Sequence, residues 1–291
     1  DKRQIAARIY RLGAVDWDRR LFDSLIPLPD GTSYNAYLIE GSKKTALLDT
    51  VDPPMADELM AQLDGVSAID YIIAHHAEQD HSGTIPRVLE RYPGAKVVAT
   101  PKARGMLIDL LRIPESAFVT VADGETLSLG NKTLKFIHAP WVHWPETMAT
   151  YDIENKVLFS CDAFGGYGAL DGGIFDDAYA DLRFYETEAL RYYTNIVAAF
   201  SKSVISAIEK LKDLPIEIVA PSHGLVWRKD PMRIINLYKQ WALYGSEPAE
   251  PGVTLLYGSM YRNTEHAMNY AAEAISKQGV LLSVFNVGVT E

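Results

Sequence analysis

Three observations predict an α/β fold of two parts. Short apolar runs alternate with helical segments across residues 1–244, several of those runs fall at the spacing of a second sheet, and a compact strand–helix–strand pattern occupies residues 253–291. A length of 291 residues suits two domains and allows at least one sizeable core. Between the parts, Gly245-Ser246-Glu247-Pro248-Ala249-Glu250-Pro251 is polar and Pro-rich, so residues 245–252 read as a linker.

Taken in order, Tyr34–Glu40 and Thr45–Asp49 read as neighbouring strands joined by a turn at Gly41-Ser42. Pro53-Pro54 starts a helix over Met55–Leu63. Ile69–Ala74 is a near-continuous apolar run, as expected of a strand buried on both faces. Gly83–Tyr92 is expected to be a helix, Lys96–Thr100 a strand, and Pro101 to about Leu111 a further helix. Leu134–Ala139, Thr147–Ile153 and Lys156–Ser160 are expected in a second sheet. A long helical stretch, divisible into two helices, spans about Leu182 to Leu214; Ile216–Ala220 is a strand and Met232–Tyr244 a helix. In the tail, Val253–Tyr257, Thr264–Gln278 and Val280–Val287 give the βαβ unit. A doubly wound nucleotide domain needs more strands, so the tail resembles one cut after its first βαβ unit.

Composition narrows the class. Apolar residues at 48% and charged residues at 23% describe a globular chain, not a disordered one. A net charge of −10 argues against a nucleic-acid surface, which needs clustered Lys and Arg. The single cysteine, Cys161, permits no intrachain disulfide and fits a reducing compartment. No apolar run reaches the ~18 residues that cross a bilayer, and Asp1-Lys2-Arg3-Gln4 lacks a signal-peptide core. A cytoplasmic protein with no membrane partner is expected.

The sharpest chemical signal is His75-His76-Ala77-Glu78-Gln79-Asp80-His81, directly after the buried strand. His76, Glu78, Asp80 and His81 fall within six residues, and imidazole and carboxylate are common ligands for iron, zinc and manganese. A run this polar also fits a solvated loop, but burying so many charges without a metal is costly. Further candidates lie at strand ends: His143 in Trp141-Val142-His143-Trp144-Pro145-Glu146-Thr147, Asp162 in Ser160-Cys161-Asp162-Ala163-Phe164-Gly165, and His223 in Pro221-Ser222-His223-Gly224. Trp141 and Trp144 are expected to wall the site. His138 and His266 read as structural, and Cys161 as a small buried filler.

In combination and order, His-x-Glu-x-Asp-His, His-Trp-Pro-x-Thr-Met, Ser-x-Asp-Ala-Phe-Gly and Pro-Ser-His-Gly resemble the flavodiiron protein family (A-type flavoproteins). The similarity runs from Tyr34 into the tail. It implies a metallo-β-lactamase-type αββα sandwich followed by the first βαβ unit of a flavodoxin-like domain. It also implies two iron ions in a carboxylate-bridged centre: His76, Glu78 and His143 on the iron nearer the flavin, Asp80, His81 and His223 on the farther one, and Asp162 shared. Hydrolytic relatives of the fold usually carry His-x-His-x-Asp-His. Glu78 stands at the second His position, adding hard oxygen ligation that suits iron cycling between ferrous and ferric. Departures are His75 where Asn is frequent, Gln79 where Pro is frequent, and Phe22-Asp23 where many members have Phe-His. His75 is open to two readings, a group orienting a ligand or an uninvolved histidine.

The turn Tyr257-Gly258-Ser259-Met260-Tyr261-Arg262-Asn263-Thr264 resembles the family's FMN phosphate loop, matched by Ser259, Asn263 and Thr264, flanked by Met260, with Arg262 where Gly is usual. Segments that would hold the isoalloxazine ring are absent, so these 291 residues alone are expected not to retain FMN tightly. The implied activity is that of an oxygen and/or nitric oxide reductase. An external donor such as a rubredoxin or a reduced deazaflavin would feed FMN and then the di-iron site, in a head-to-tail homodimer. The alternative is a metal-dependent hydrolase acting on a thioester, lactone or phosphodiester.

Overall fold

Alternation along the strands dictates the layering, because successive side chains of a strand point to opposite faces. The computed structural model describes residues 2–245 and 251–289. It begins with β1 (Arg3–Ala6) and β2 (Ile9–Asp16), a small hairpin of β3 (Leu21–Phe22) and β4 (Ile26–Pro27), then the long β5 (Thr32–Glu40) and β6 (Thr45–Leu48). α1 (Ala56–Gln62), β7 (Tyr71–Ile73), α2 (Gln79–Ser82), α3 (Ile85–Arg91), β8 (Lys96–Ala99), α4 (Pro101–Leu111) and β9 (Phe118–Thr120) follow. Next come β10 (Thr126–Ser128), β11 (Thr133–His138), β12 (Met148–Asp152), β13 (Val157–Cys161), α5 (Arg183–Tyr192), α6 (Ser201–Leu211), β14 (Ile218–Pro221) and α7 (Pro231–Leu243).

A seven-stranded sheet runs β1-β2-β5-β6-β7-β8-β9, and a five-stranded sheet runs β10-β11-β12-β13-β14. Tyr37, Ile39, Ala46, Leu48, Ile73 and Val98 turn from the first sheet into a core shared with Phe136, Met148 and Phe159 of the second. Their neighbours Ala36, Leu38, Leu47, Ile72 and Val97 face a separate core closed by Leu59, Ile85, Val88 and Leu107 of α1, α3 and α4. Helices α6 and α7 add Val204, Ile234 and Tyr238 to the core of the second sheet. The result is the helix–sheet–sheet–helix sandwich, an α/β fold.

Several boundaries differ from expectation for identifiable reasons. β7 is shorter than the apolar run 69–74, because the parallel ladder exists only where β6 and β8 both flank it, from Tyr71 to Ile73. The expected helix over 83–92 is α3, and a further short helix not expected from the sequence, α2, precedes it across Gly83-Thr84. The helical stretch 182–214 is interrupted by a wide π turn over Tyr193–Val197 and a tight turn over Ala198–Phe200. The sequence pattern predicts no strand before Tyr34; β1 and β2 lie there, their alternation masked by Arg11 and Gly13.

The chain divides into two units, Asp1–Gly245 and Ser246–Glu291. In the second, β15 (Gly252–Tyr257) and β16 (Leu281–Asn286) pair in parallel through α8 (Asn263–Ser276). Residues 246–250 of the expected linker lie outside the described residues. No helix among the described residues is long and apolar enough to cross a membrane.

Gly13 marks a point where the sheet tolerates only glycine. Its φ is +119°, and a Cβ there would lie 2.0 Å from the Tyr34 carbonyl oxygen. Gln62 of α1 serves both its backbone groups, accepting from Gly13 N–H at 3.2 Å and donating to its carbonyl at 2.8 Å. Gly13→Ala should therefore lower stability by about 3 kcal/mol or more in urea denaturation. A change below about 0.5 kcal/mol would contradict this backbone geometry.

Candidate metal centre

Strand ends and one long turn deliver the chemistry-bearing side chains. His76 and Glu78 follow β7, and Asp80 and His81 occupy α2. His143 comes from the turn between β11 and β12, Asp162 directly follows β13, and His223 closely follows β14. β13 and β14 are parallel, with Cys161 opposite Pro221, so their C-terminal ends place Asp162 and His223 side by side.

All seven sequence candidates converge. The ligand atoms of His76, Glu78, His143 and Asp162 lie within 4.8 Å of one another, as do those of Asp80, His81 and His223. In the first group, Glu78 Oε2 is 3.0 Å from His76 Nε2 and 3.1 Å from His143 Nε2. In the second, Asp80 is 3.4 Å from His81 Nε2 and 3.3 Å from His223 Nε2. Asp162 joins them. Its Oδ2 lies 3.5 Å from His76 Nε2 and 3.4 Å from His143 Nε2, and its Oδ1 lies 3.0 Å from His81 Nε2 and 3.4 Å from His223 Nε2.

Outer contacts fix these rings. His76 Nδ1 pairs with Glu146 Oε1 at 2.7 Å, and the same oxygen accepts from Ala77 N–H at 3.0 Å. His223 Nδ1 meets the Ser33 carbonyl at 2.8 Å. With Nδ1 engaged against an acceptor, each of these rings presents Nε2 to the centre. The Tyr192 hydroxyl donates to Asp162 Oδ1 at 2.8 Å, from the last turn of α5 before the π turn. Trp144 stands edge-on to His76, with ring centroids 4.9 Å apart, and walls the site as expected. Trp141 does not: it is 48% exposed and stacks on Phe200 instead.

Electrostatics match the crowding. Burial alone would lower the His76 and His143 imidazoles, but Glu146 and Glu78 at His76, and Asp162 and Glu78 at His143, raise both to about 9. For His81 and His223 burial is likewise outweighed, by Asp162 and Asp80, giving about 9 and about 10. Burial works to raise Glu78, yet hydrogen bonds from His143 and His76 bring it to about 2; Asp162 is also pulled well below the usual range. Asp23, on the β3–β4 turn, is pushed up to about 6 by burial and by the charges of Glu78 and Asp80.

Does this donor set fit a metal? Both Asp80 oxygens, Asp162 Oδ2 and His223 Nε2 are buried without a hydrogen-bond partner. Buried carboxylate oxygens left so are costly, and cations at the two convergence points would satisfy them. Four imidazoles with three carboxylates form a mixed nitrogen–oxygen set suited to iron, manganese or zinc. The set fits.

Other histidines and the cysteine fall outside it. Both ring nitrogens of His75 are taken, Nδ1 by Asp49 and Nε2 by Thr150, each at 2.7 Å, so it cannot be a ligand. Asp49, His81 and Cys161 also cluster, but Asp49 is held by His75 N–H and the Ser222 hydroxyl, and burial pushes the Cys161 thiol up. His138 contacts the Val121 carbonyl at 3.2 Å, and His266 is exposed. Sequence reasoning misses Glu146, Ser33 and Tyr192 as supports of the site. In the tail, Ser259, Met260, Arg262, Asn263 and Thr264 lie on the β15–α8 connection and the start of α8; Met260 is 85% exposed and Ser259 Oγ has no partner.

Comparison with known proteins places this geometry among relatives. The family described as ODP family beta lactamase matches residues 32–224. The anaerobic nitric oxide reductase flavorubredoxin of Pectobacterium atrosepticum is 39% identical over 289 residues, which take in 96% of this chain and 55% of that protein. The chain thus spans about half the length of the curated relatives it matches. Rubredoxin oxygen:oxidoreductase from Desulfovibrio gigas superposes with a TM-score of 0.90 at 29% identity, covering 100% of this chain and 73% of that one. A mutant flavo di-iron protein from Thermotoga maritima gives 0.87 at 31% identity, covering 98% and 72%.

The raised histidines mean that metal uptake near pH 7 must displace protons, so apparent metal affinity should rise with pH up to about 9–10. The metal-free chain has the opposite trend. Its histidine–carboxylate pairs stabilise the fold fully below the unfolded value of ~6.5 and lose that contribution as pH climbs through 9–10. Its Tm with chelator present should therefore fall between pH 7 and 10; a flat or rising Tm would refute the pairing. Separately, Glu146→Gln should weaken metal binding about 10- to 100-fold in a competition titration.

Proposed function

Because this chain belongs to the flavodiiron protein family, we propose that it is the metal-bearing part of an oxygen and/or nitric oxide reductase. Electrons from an external carrier would reach FMN, then a di-iron site, and reduce dioxygen to water or nitric oxide to nitrous oxide. The observation that carries this reading is one carboxylate serving two triads: Asp162 turns Oδ2 to the His76–Glu78–His143 side and Oδ1 to the Asp80–His81–His223 side. His76, Glu78 and His143 would hold one iron, Asp80, His81 and His223 the other, and Asp162 both. When bound, such a pair supplies two adjacent one-electron centres that can hold a small gas molecule between them.

The chain's own residues prepare that site. Glu146 and the Ser33 carbonyl orient His76 and His223 so that no rotation is needed on binding. Burial keeps the Tyr192 phenol protonated, so its hydroxyl remains a hydrogen-bond donor to Asp162 Oδ1. Trp144 covers His76 edge-on and keeps bulk water from that flank. Glu78 places an anionic oxygen where a histidine would favour zinc, and thereby supports a metal that changes charge.

Ser259, Asn263 and Thr264, with Met260 and Arg262 beside them, would cradle the FMN phosphate at the start of α8, where the Ser259 hydroxyl is buried without a hydrogen-bond partner. The donor would be a rubredoxin, a carrier that the D. gigas protein's name specifies for that protein, or a reduced deazaflavin. A head-to-tail homodimer would bring the flavin of one protomer to the irons of the other.

Metal analysis of protein reconstituted anaerobically with ferrous iron should give close to two irons per chain. Asp162→Ala should remove the magnetic coupling between them and lower gas consumption at least ~100-fold with FMN and donor supplied. Coupled irons in the Ala variant, or a wild type that takes only zinc and hydrolyses esters, would overturn the proposal.

A further inference from the structure

β5 is nine residues long, whereas β6 pairs with only its last part, from Tyr37 to Glu40. On that side the start of β5 therefore overhangs its neighbour, with hydrogen-bonding groups that the ladder leaves free. The second sheet fills the gap with the turn after β14. Asn35 N–H donates to the Ser222 carbonyl at 2.7 Å, the Ser33 carbonyl meets His223 Nδ1 at 2.8 Å, and Gly224 N–H donates to Ser33 Oγ at 2.9 Å. Tyr37 adds its hydroxyl to the Pro221 carbonyl at 2.6 Å. A positive φ of +78° at Gly224 lets the turn close.

The Asn35 side chain brackets His223 from both sides. Its amide nitrogen donates to the carbonyls of Pro221 at 2.9 Å and Gly224 at 3.0 Å. Its oxygen accepts from Arg11 Nε at 2.9 Å. An asparagine could reverse its amide, but arginine has no acceptor to offer, so Arg11 fixes which end faces the turn. Arg11 and Asn35 are both buried, which makes the network unforgiving: removing the amide withdraws a donor from two carbonyls at once.

We infer that Asn35, oriented by Arg11, is a positioning residue that sets the His223 turn and with it the metal affinity of the Asp80–His81–His223 half. The other half meets this overhang only through the shared Asp162, since His76 is set by Glu146, and Glu78 and His143 come from the β7 and β11–β12 loops. The inference rests on the two-metal reading above.

The test is a titration of the metal-free 291-residue chain with cobalt(II), followed by visible absorption and electron paramagnetic resonance, with circular dichroism to check the fold. Wild type should take two equivalents. Asn35→Ala should bind the first as wild type does and the second about 10- to 100-fold more weakly, with loss of the two-metal spectroscopic signature. Arg11→Met, which leaves β5 intact, should weaken the second equivalent in the same direction and decides the matter if Asn35→Ala does not fold. A folded variant that binds both equivalents normally, or loses both alike, overturns the inference. A wild type that takes fewer than two equivalents overturns the two-metal reading itself, and the inference with it.

Discussion

Three carboxylates buried against one another impose the constraint that the rest of this molecule answers. Asp162 is fully buried and Glu78 and Asp80 are partly so, and an uncompensated buried charge costs several kcal/mol. Four imidazoles interleave with them so that every one of the three carboxylates faces ring nitrogen. Glu146 and the Ser33 carbonyl hold the His76 and His223 rings in place, and Tyr192 holds Asp162, from three separate parts of the chain.

The sandwich makes such convergence possible. Rigid strands with both faces buried end at one rim, and the loops leaving them are short enough to carry little freedom. Parallel pairing of β13 and β14 sets two ligands abreast, and β7, interior to the first sheet, delivers four more candidates in a single loop and helical turn. The interruption after α5 belongs to the same logic. A π turn widens the helix directly after Tyr192, and such insertions recur beside functional sites.

Much of this is legible in the sequence because it is local. His76, Glu78, Asp80 and His81 lie within six residues after an apolar run, so their spacing alone suggests a shared centre, and both sheets announce themselves through short apolar runs between turns. What the sequence conceals depends on partners distant along the chain. Glu146 lies inside the run that carries His143, yet its partner His76 is 70 residues away. Ser33 acts through a backbone carbonyl, which no residue type advertises. Tyr192 is one tyrosine among 16, and only the helix interruption distinguishes it. β2 is hidden because Arg11 and Gly13 break its apolar alternation, for reasons that become visible only when Asn35 and Gln62 are in place. His75 shows the reverse case: the sequence leaves two readings open, and its hydrogen bonds to Asp49 and Thr150 exclude ligation.

The supports behind the two anchoring rings are chemically unequal. A carboxylate backs His76, whereas a neutral peptide oxygen backs His223. An imidazole leaning on an anion is the stronger electron donor. The two coordination pockets thus differ in the positive charge each can stabilise, so a cation pair held here would be inequivalent before any substrate arrived. Glu146, which stands outside the ligand set, would thus help to decide which of two bound cations carries more positive charge.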